Sequence, residues 1–339
     1  MNATQIVQSL LGHLPPRARK ISIGVIGVGA VAQEQHLPGL RAVEGCSIQA
    51  LSGRGGPDRL ERIAESFGVE KRYSDWRQMV DEEPLDAVSI ATPPADHFEM
   101  AAYCLQAGLH VMVEKPMVTS TPELESLVLM AEKSGRLLLV RQNFRFSKGV
   151  YWARQLLKAG TFGKVIKMDM TFSHSGPRQA WHFQKDHAGG GVFMDLGIHL
   201  VDLARYVLDD EVEQVRMIHS RRRPASDVED EALAFLQMRQ GPLVTLQMSW
   251  NGYPCDGHFT LVGDQVMARI QFCPRDYIDW NANRLPKGVT HPLEPHPAGP
   301  DSFHHFIACI RNGRESIIAA SDNAHSLEVI LKGYESARG

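Results

Sequence analysis

Lys115, Asp195, His199 and Asp202 are the residues of this chain whose types and spacing suit them to proton chemistry. Lys115 closes the run Val111 to Pro116, V-M-V-E-K-P, an apolar strand ending in a charged pair and a proline. Open α/β sheets bind ligands beyond the carboxyl ends of their strands, and Pro116 stops the ladder by removing a donor. Glu114 and Lys115 are therefore expected at the rim of a sheet, facing a site. The second cluster is G-G-G-V-F-M-D-L-G-I-H-L-V-D, Gly189 to Asp202. On a helix, offsets of four and three put Asp195, His199 and Asp202 on one face, while Val192, Leu196, Leu200 and Leu203 line another. A histidine flanked by carboxylates in an otherwise apolar helix is costly unless it is used.

Two uses compete: general acid and base work with a carboxylate orienting the imidazole, and metal binding through Asp195 and His199. The first is preferred, with no metal expected, because no further close ligand pair is evident. Gly189, Gly190 and Gly191 suit a backbone brought close to a ligand, and Trp181, with His182 and His187, is placed to roof the site. His291, His296, His304 and His305 lie in or beside a proline-rich stretch and read as surface residues.

The elements that must position these groups begin with an apolar strand over Ile21 to Val28, buried on both faces. It runs into Gly27-Val28-Gly29-Ala30-Val31-Ala32, a G-x-G-x-x-A dinucleotide fingerprint. Gly27 permits the tight turn, Gly29 lets a pyrophosphate approach the backbone, and Ala32 allows close packing of the following helix. A second strand, Ser47 to Ser52, ends in S-G-R-G-G, where an NAD-selective site usually carries an acid. Arg54 falls there instead and suits a 2′-phosphate, with Ser52 beside it, so NADP is slightly favoured over NAD.

Helices at 58–67, 95–107 and 121–134 alternate with strands at 87–91, 110–113 and 137–140, the rhythm of a doubly wound parallel sheet. Thr92-Pro93-Pro94 ends one strand at the same edge, so Thr92, Pro93 and His97 should border the cofactor. After Arg145 the pattern changes to a helix at 150–157 and half-buried strands at 164–172, 231–238, 243–250 and 258–262 without helical crossovers. In the first of these, Ile166, Met168, Met170 and Phe172 share one face. The expected fold is thus α/β plus α+β: a Rossmann sheet, then an open, mainly antiparallel sheet with helices on one face and a homo-oligomeric contact, dimer or tetramer, on the other. A helix over 321–338 should close the chain by packing.

The 339 residues suit two domains, read as 21–143 for the dinucleotide and 144–339 for substrate and assembly, after an extension over 1–20. That extension carries Ile6, Leu10 and Leu14 on one helical stripe and suits a short packing helix, with a transit peptide as the other reading. Apolar content of 43%, charged content of 22% and net charge −3 are globular values with no footprint for nucleic acid or an anionic membrane. The basic run Arg221 to Arg223 reads as a solvated strand end. Five scattered cysteines without C-x-x-C spacing indicate neither a disulfide framework nor a zinc knuckle. No apolar run approaches a membrane span, and a cytoplasmic location is expected.

Five segments in order carry a family likeness: G-V-I-G-V-G-A-V-A, L-D-A-V-S-I-A-T-P-P-A-D-H, G-L-H-V-M-V-E-K-P, A-G-G-G-V-F-M-D-L-G-I-H-L-V-D and Y-E-S-A-R. From about Ile21 to Arg338 the chain resembles the Gfo/Idh/MocA family, the relatives of glucose-fructose oxidoreductase and inositol dehydrogenase. The resemblance implies a nicotinamide cofactor under the glycine turn and a sugar, sugar-nucleotide or cyclitol against the open sheet. It further implies that Lys115 contacts nicotinamide and the substrate hydroxyl, that Asp195 and His199 bind substrate and relay its proton, and that Asp202 is a structural partner. Asn143 and Arg145 match a region that often touches substrate or cofactor. The expected reaction is reversible hydride transfer at a secondary alcohol, with His199 as base and Lys115 charged. Two other readings are a glycosidase or epimerase with recycled NAD, and a non-catalytic NADP-binding sensor.

Overall fold

The computed structural model describes residues 20–252, 255–274, 277–280 and 296–337. The segment over 1–19, with its Ile6, Leu10 and Leu14 stripe, and His291 lie outside the described residues. Two sheets organise the rest. The first has six strands: β1 (Ile21–Ile26), β2 (Cys46–Ser52), β3 (Lys71–Tyr73), β4 (Ala87–Ile90), β5 (His110–Val113) and β6 (Leu138–Val140). Their order is β3-β2-β1-β4-β5-β6, and every pair is parallel. The order reverses direction between β1 and β4, the switch point at which such sheets open a ligand crevice.

Helices α1 (Leu37–Ala42), α2 (Pro57–Phe67), α3 (Trp76–Glu82), α4 (His97–Gln106) and α5 (Thr121–Ser134) cover this sheet. Its central strands are mostly apolar because both faces are covered: Ile23, Val25, Val88, Ile90, Val111 and Val113 are buried. β1 stops at Ile26, two residues before the expected Val28, because Gly27 turns the chain at φ +95°. The short β3 and α3 carry too few residues for a period to stand out, and the sequence did not reveal them.

The second sheet has seven strands: β7 (Val165–Ser173), β8 (Val212–Ser220), β9 (Glu231–Met238), β10 (Leu243–Ser249), β11 (Asp256–Gly263), β12 (Met267–Cys273) and β13 (Tyr277–Trp280). The order is β13-β12-β11-β7-β10-β9-β8, antiparallel except for the central β7 and β10 pair. Helices α6 (Lys148–Lys158), α7 (Ile198–Leu208) and α9 (Ala320–Ser336) pack on one face. That face receives Met168, Met170, Phe172, Ala232, Ala234, Leu236, Val244, Leu246 and Met248 by strict alternation. Ile166 has the parity of this face but is exposed where β7 begins, contrary to the expected stripe. The opposite face leaves Ile218, Leu233, Phe235, Leu243 and Met267 exposed.

After the second sheet the chain returns to the first. Helix α8 (Ser302–Asn312) places Phe303, Phe306 and Ile307 in one core with Ile23, Val25, Leu37 and Leu40. Gly39 makes room, since a Cβ there would fall 2.2 Å from the Phe303 ring. The histidines expected at the surface of this region are only partly so. His296 and His305 are buried, the former meeting the Tyr206 hydroxyl at 3.0 Å and the latter reaching Ser316 Oγ at 2.9 Å, while His304 is half-exposed against Asp301.

Candidate active site

The carboxyl ends of β1, β2, β4 and β5 open into a cleft of about 680 Å³. One end is the glycine turn. At Gly27 an added Cβ would lie 2.4 Å from the Ala91 carbonyl oxygen, so φ and space both demand glycine. At Gly29 it would meet nothing within 4 Å, which leaves this backbone open for a ligand to approach. Gly27, Gly29, Ala30, Val31, Ser52, Arg54, Thr92 and Pro93 line the cleft. Ala32 is fully buried and packs rather than lines, as its size implied. The helix after the turn opens with a π-helical stretch, Ala32–His36, instead of a regular first turn. Together the closed Gly27, the open Gly29 and the flanking cations fit a dinucleotide's phosphates and ribose.

Arg54 is largely exposed at the cleft edge, with Nη1 3.4 Å from Asp96 Oδ2. Arg59, one turn into α2, also lines the cleft and donates to the Val28 carbonyl at 3.4 Å. Sequence reading missed Arg59, whose signal was a second arginine within one helical turn of the missing acid. His97 does not border the cleft, contrary to expectation. Its ring is fully buried, with Nδ1 2.8 Å from the Pro116 carbonyl and Nε2 2.9 Å from the Thr92 carbonyl. It braces two rim loops against each other.

The other end of the cleft holds the charged groups. Lys115 Nζ donates to Asp195 Oδ1 at 2.5 Å and to the Asp195 carbonyl at 2.9 Å. Asp195 Oδ2 accepts from Trp250 Nε1 at 3.1 Å. Burial works to raise the Asp195 carboxyl, but the adjoining Lys115 charge outweighs it and holds the group well below the usual carboxylate range. Trp250 was not anticipated, although it follows directly on the alternating β10. Glu114 lines the cleft from below: Oε1 meets Arg141 Nη1 at 2.8 Å and His36 Nε2 at 2.9 Å, while Oε2 accepts from the Lys115 N–H at 3.2 Å. Its burial is likewise overcome by Arg141, so it is ionised and fixes the backbone that carries Lys115.

Asp195 sits in a π-helical turn, Phe193–Gly197, that leads into α7. Such turns are uncommon and recur at functional sites. Packing demands the last two of the three glycines before it, and Gly190 also lines the cleft. A Cβ at Gly191 would fall 1.9 Å from the Glu229 carbonyl, and one at Gly190 would fall 2.2 Å from the Tyr334 hydroxyl. The buried Glu229 carboxylate accepts from Gly191 N and Phe193 N, and Tyr334 donates to it at 2.7 Å. An acid capping a helix start satisfies orphan N–H groups and complements the helix dipole.

His199 lies near Asp195 and Lys115 but is not on the cleft wall. Its ring is 6% exposed and packs against Phe144 and Phe172. Among the described residues no carboxylate orients it. Nδ1 meets Gln142 Oε1 at 2.9 Å, which accepts, so Nε2 carries the lone pair. Burial, then the Lys115 charge, pulls its pKa down to about 3, so the ring is neutral. Asp202 faces elsewhere: it holds Arg145 by two hydrogen bonds, 2.7 Å at Nε and 2.6 Å at Nη2. Arg145, also 2.6 Å from Asp322, is buried and does not reach the cleft, which overturns its place among substrate contacts. Asn143 is half-buried and likewise does not line the cleft.

Trp181 lines the cleft and stacks on His182 at 3.5 Å between centroids; His187 does not line it. Within the basic run, Arg223 is no solvated strand end: its guanidinium covers the Phe183 ring at 5.3 Å and donates to the Trp250 carbonyl at 2.9 Å. Among the described residues, no helix is long and apolar enough to cross a membrane.

Residues 21–142 match the family model described as "Oxidoreductase family, NAD-binding Rossmann fold", and residues 150–269 match "GFO/IDH/MocA C-terminal domain". Curated relatives include a dTDP-3,4-didehydro-2,6-dideoxy-alpha-D-glucose 3-reductase from Actinomadura kijaniata, 31% identical over 70% of both chains. Another is a myo-inositol 2-dehydrogenase from Thermotoga maritima, 28% identical over 67% of this chain and 68% of the relative. Among solved structures, an aldose-aldose oxidoreductase from Caulobacter crescentus complexed with glycerol superposes with a TM-score of 0.84 at 26% identity, covering 94% of this chain and 98% of that one.

Proposed function

The chain belongs to the Gfo/Idh/MocA family of oxidoreductases, and from that premise we propose that it interconverts a secondary alcohol and a ketone on a sugar, sugar derivative or cyclitol, using NADP or NAD. The observation that carries this reading is the Lys115 and Asp195 ion pair at the inner end of a cleft whose outer end is the glycine turn. A nicotinamide held under that turn, by Gly27 to Val31, Thr92 and Pro93, supplies a hydride acceptor or donor. The protein's own residues manage the proton and the charge. Lys115, ion-paired and facing the cleft, stabilises the alkoxide as it develops and orients the reacting oxygen. Asp195, kept ionised, holds the ammonium in place, and Trp250 fixes its second oxygen. His199, neutral with a bare Nε2 behind the cleft wall, receives the hydroxyl proton in the oxidation direction through Lys115, which takes the proton from the hydroxyl as it hands its own to the imidazole. This role seats the reacting oxygen deep in the cleft, against Lys115.

Arg54, supported by Arg59 and Ser52, binds the 2′-phosphate of NADP. The exposed apolar face of the second sheet, centred on Phe235, Leu233 and Ile218, is where two copies of the chain meet. The test of the activity is a panel of aldoses and cyclitols followed by nicotinamide absorbance, on wild type and on Lys115→Met. Turnover on at least one compound is expected, reduced by three orders of magnitude or so in the variant, with cofactor affinity changed less than threefold, since a transition-state donor is lost rather than a cofactor contact. Retained turnover in the variant removes Lys115 from the chemistry.

A further inference from the structure

Two histidines on the cleft wall take part in no step above. His174 and His182 lie on the segment that leaves β7, and both line the cleft with Lys115, Asp195 and Trp250. Each has one ring nitrogen committed to a backbone group close in sequence. The Gly176 N–H donates to His174 Nδ1 at 2.9 Å, so that nitrogen carries a lone pair and the proton of the neutral ring sits on Nε2. His182 Nδ1 lies 3.2 Å from the Gln179 carbonyl oxygen. A carbonyl only accepts, so here Nδ1 carries the proton and Nε2 is bare. The two rings hold opposite tautomers.

Burial, the largest influence on each, lowers both histidines from the ordinary imidazole value, which keeps them neutral and the tautomers distinct. The rings are also held in place. His182 stacks on Trp181, whose Nε1 is anchored on Gln179 Oε1 at 2.5 Å. His174 packs edge-on to Phe172. Its Nε2 lies 3.9 Å from Asp195 Oδ2, too far for a hydrogen bond. Among the described residues neither Nε2 has a hydrogen-bond partner, so one wall of the cleft presents one free donor and one free acceptor.

We propose that His174 and His182 are the specificity-determining pair of this site, with His174 Nε2–H donating to, and His182 Nε2 accepting from, hydroxyls adjacent to the reacting carbon. The recognised unit is a vicinal diol. A hydroxyl both donates and accepts, so the pair holds one neighbouring hydroxyl from both sides or two hydroxyls singly. An analogue lacking it leaves two part-buried nitrogens unpaired, the situation in which hydrogen-bonding sites discriminate best. The inference takes the position of the reacting carbon from the oxidoreductase reading, whereas the tautomer pair stands without it.

The experiment is long-range proton–nitrogen NMR of the histidine rings in the full protein with NADH, a complex in which an alcohol cannot be oxidised. His174→Phe and His182→Phe spectra assign the signals, and the tautomers are read on wild type even if a variant misfolds. The expected result is Nε2–H for His174 and Nδ1–H for His182. Both should shift on titration with trans-1,2-cyclohexanediol and with myo-inositol but not with cyclohexanol, and the diol should bind roughly tenfold more tightly than the monool. In the Phe variants that preference should fall to about equality. Identical tautomers, or equal responses to diol and monool, overturn the pair. Selective ring shifts together with no turnover on the aldose and cyclitol panel, assayed separately with oxidised and with reduced cofactor, leave the pair standing and bring down the oxidoreductase reading instead.

Discussion

At the scale of single residues, burial decides what each charged group can do. His199 is neutral because it is enclosed by Phe144 and Phe172, and its folded pKa of about 3 lies below the ordinary 6.5. A depressed folded pKa makes the folded state bind fewer protons than the unfolded one, so its contribution is complete above pH 6.5 and is lost as pH falls toward 3. Chemical denaturation of wild type at pH 6.5 and pH 5 should therefore differ by up to about 2 kcal/mol from this group alone. His199→Asn should shrink that difference by the same amount, and an unchanged pH slope would show the ring to be solvated. Cofactor choice is also a residue matter. Arg54→Ala should weaken NADPH roughly tenfold and leave NADH within twofold, Arg59→Ala should act less, and both are read by nicotinamide fluorescence titration. Equal loss for the two cofactors would remove the phosphate clamp.

At the scale of elements, the two functional stretches are held from outside themselves. The loop that presents Lys115 is fixed by Glu114, which two side chains from distant positions, His36 and Arg141, lock in place. The turn that presents Asp195 is capped by Glu229 and Tyr334. Helix α7 is pinned at its middle by the Asp202 and Arg145 pair, which are 1% and 5% exposed. Removing Asp202 takes from the buried Arg145 its bidentate carboxylate and leaves the more exposed Asp322 as the remaining one. Asp202→Ala should destabilise the protein by about 3 kcal/mol in urea denaturation, the low end for breaking a buried pair. Turnover per folded molecule should stay within a few-fold of wild type, because neither group reaches the cleft. A loss of turnover with stability intact would return Arg145 to the site.

At the scale of the whole molecule, most of the large apolar side chains exposed among the described residues lie on the second sheet. Ile218 and Leu233 are opposite one another in register, and Phe235, 56% exposed, follows on the same face. Contiguous apolar surface of this kind marks an interaction site, and closed symmetry makes a face-to-face homodimer the simplest assembly. Phe235→Glu should shift the mass measured by light scattering to that of a single 37.7 kDa chain. A wild type already at that mass would instead leave the face open to solvent.

Much of this protein was determined by its sequence alone. Apolar runs punctuated by glycine and proline set the parallel sheet, strict alternation set the second sheet, and local spacing singled out Gly27, Gly29, Lys115 and Asp195, which line the cleft, and His199, which lies behind its wall. These features are legible because each depends on neighbours within a turn or a strand. What the tertiary structure alone decided is which polar groups meet. Arg145 and Asp202 are 57 positions apart, Lys115 and Asp195 are 80 apart, and Trp250 reaches Asp195 across 55. No local period encodes such pairings, since they arise from the way two sheets and their helices are packed. Arg145 and His97 looked functional for that reason, and their partners proved to be a buried carboxylate and two carbonyls, while the glycines serve a capped helix start as well as the cleft.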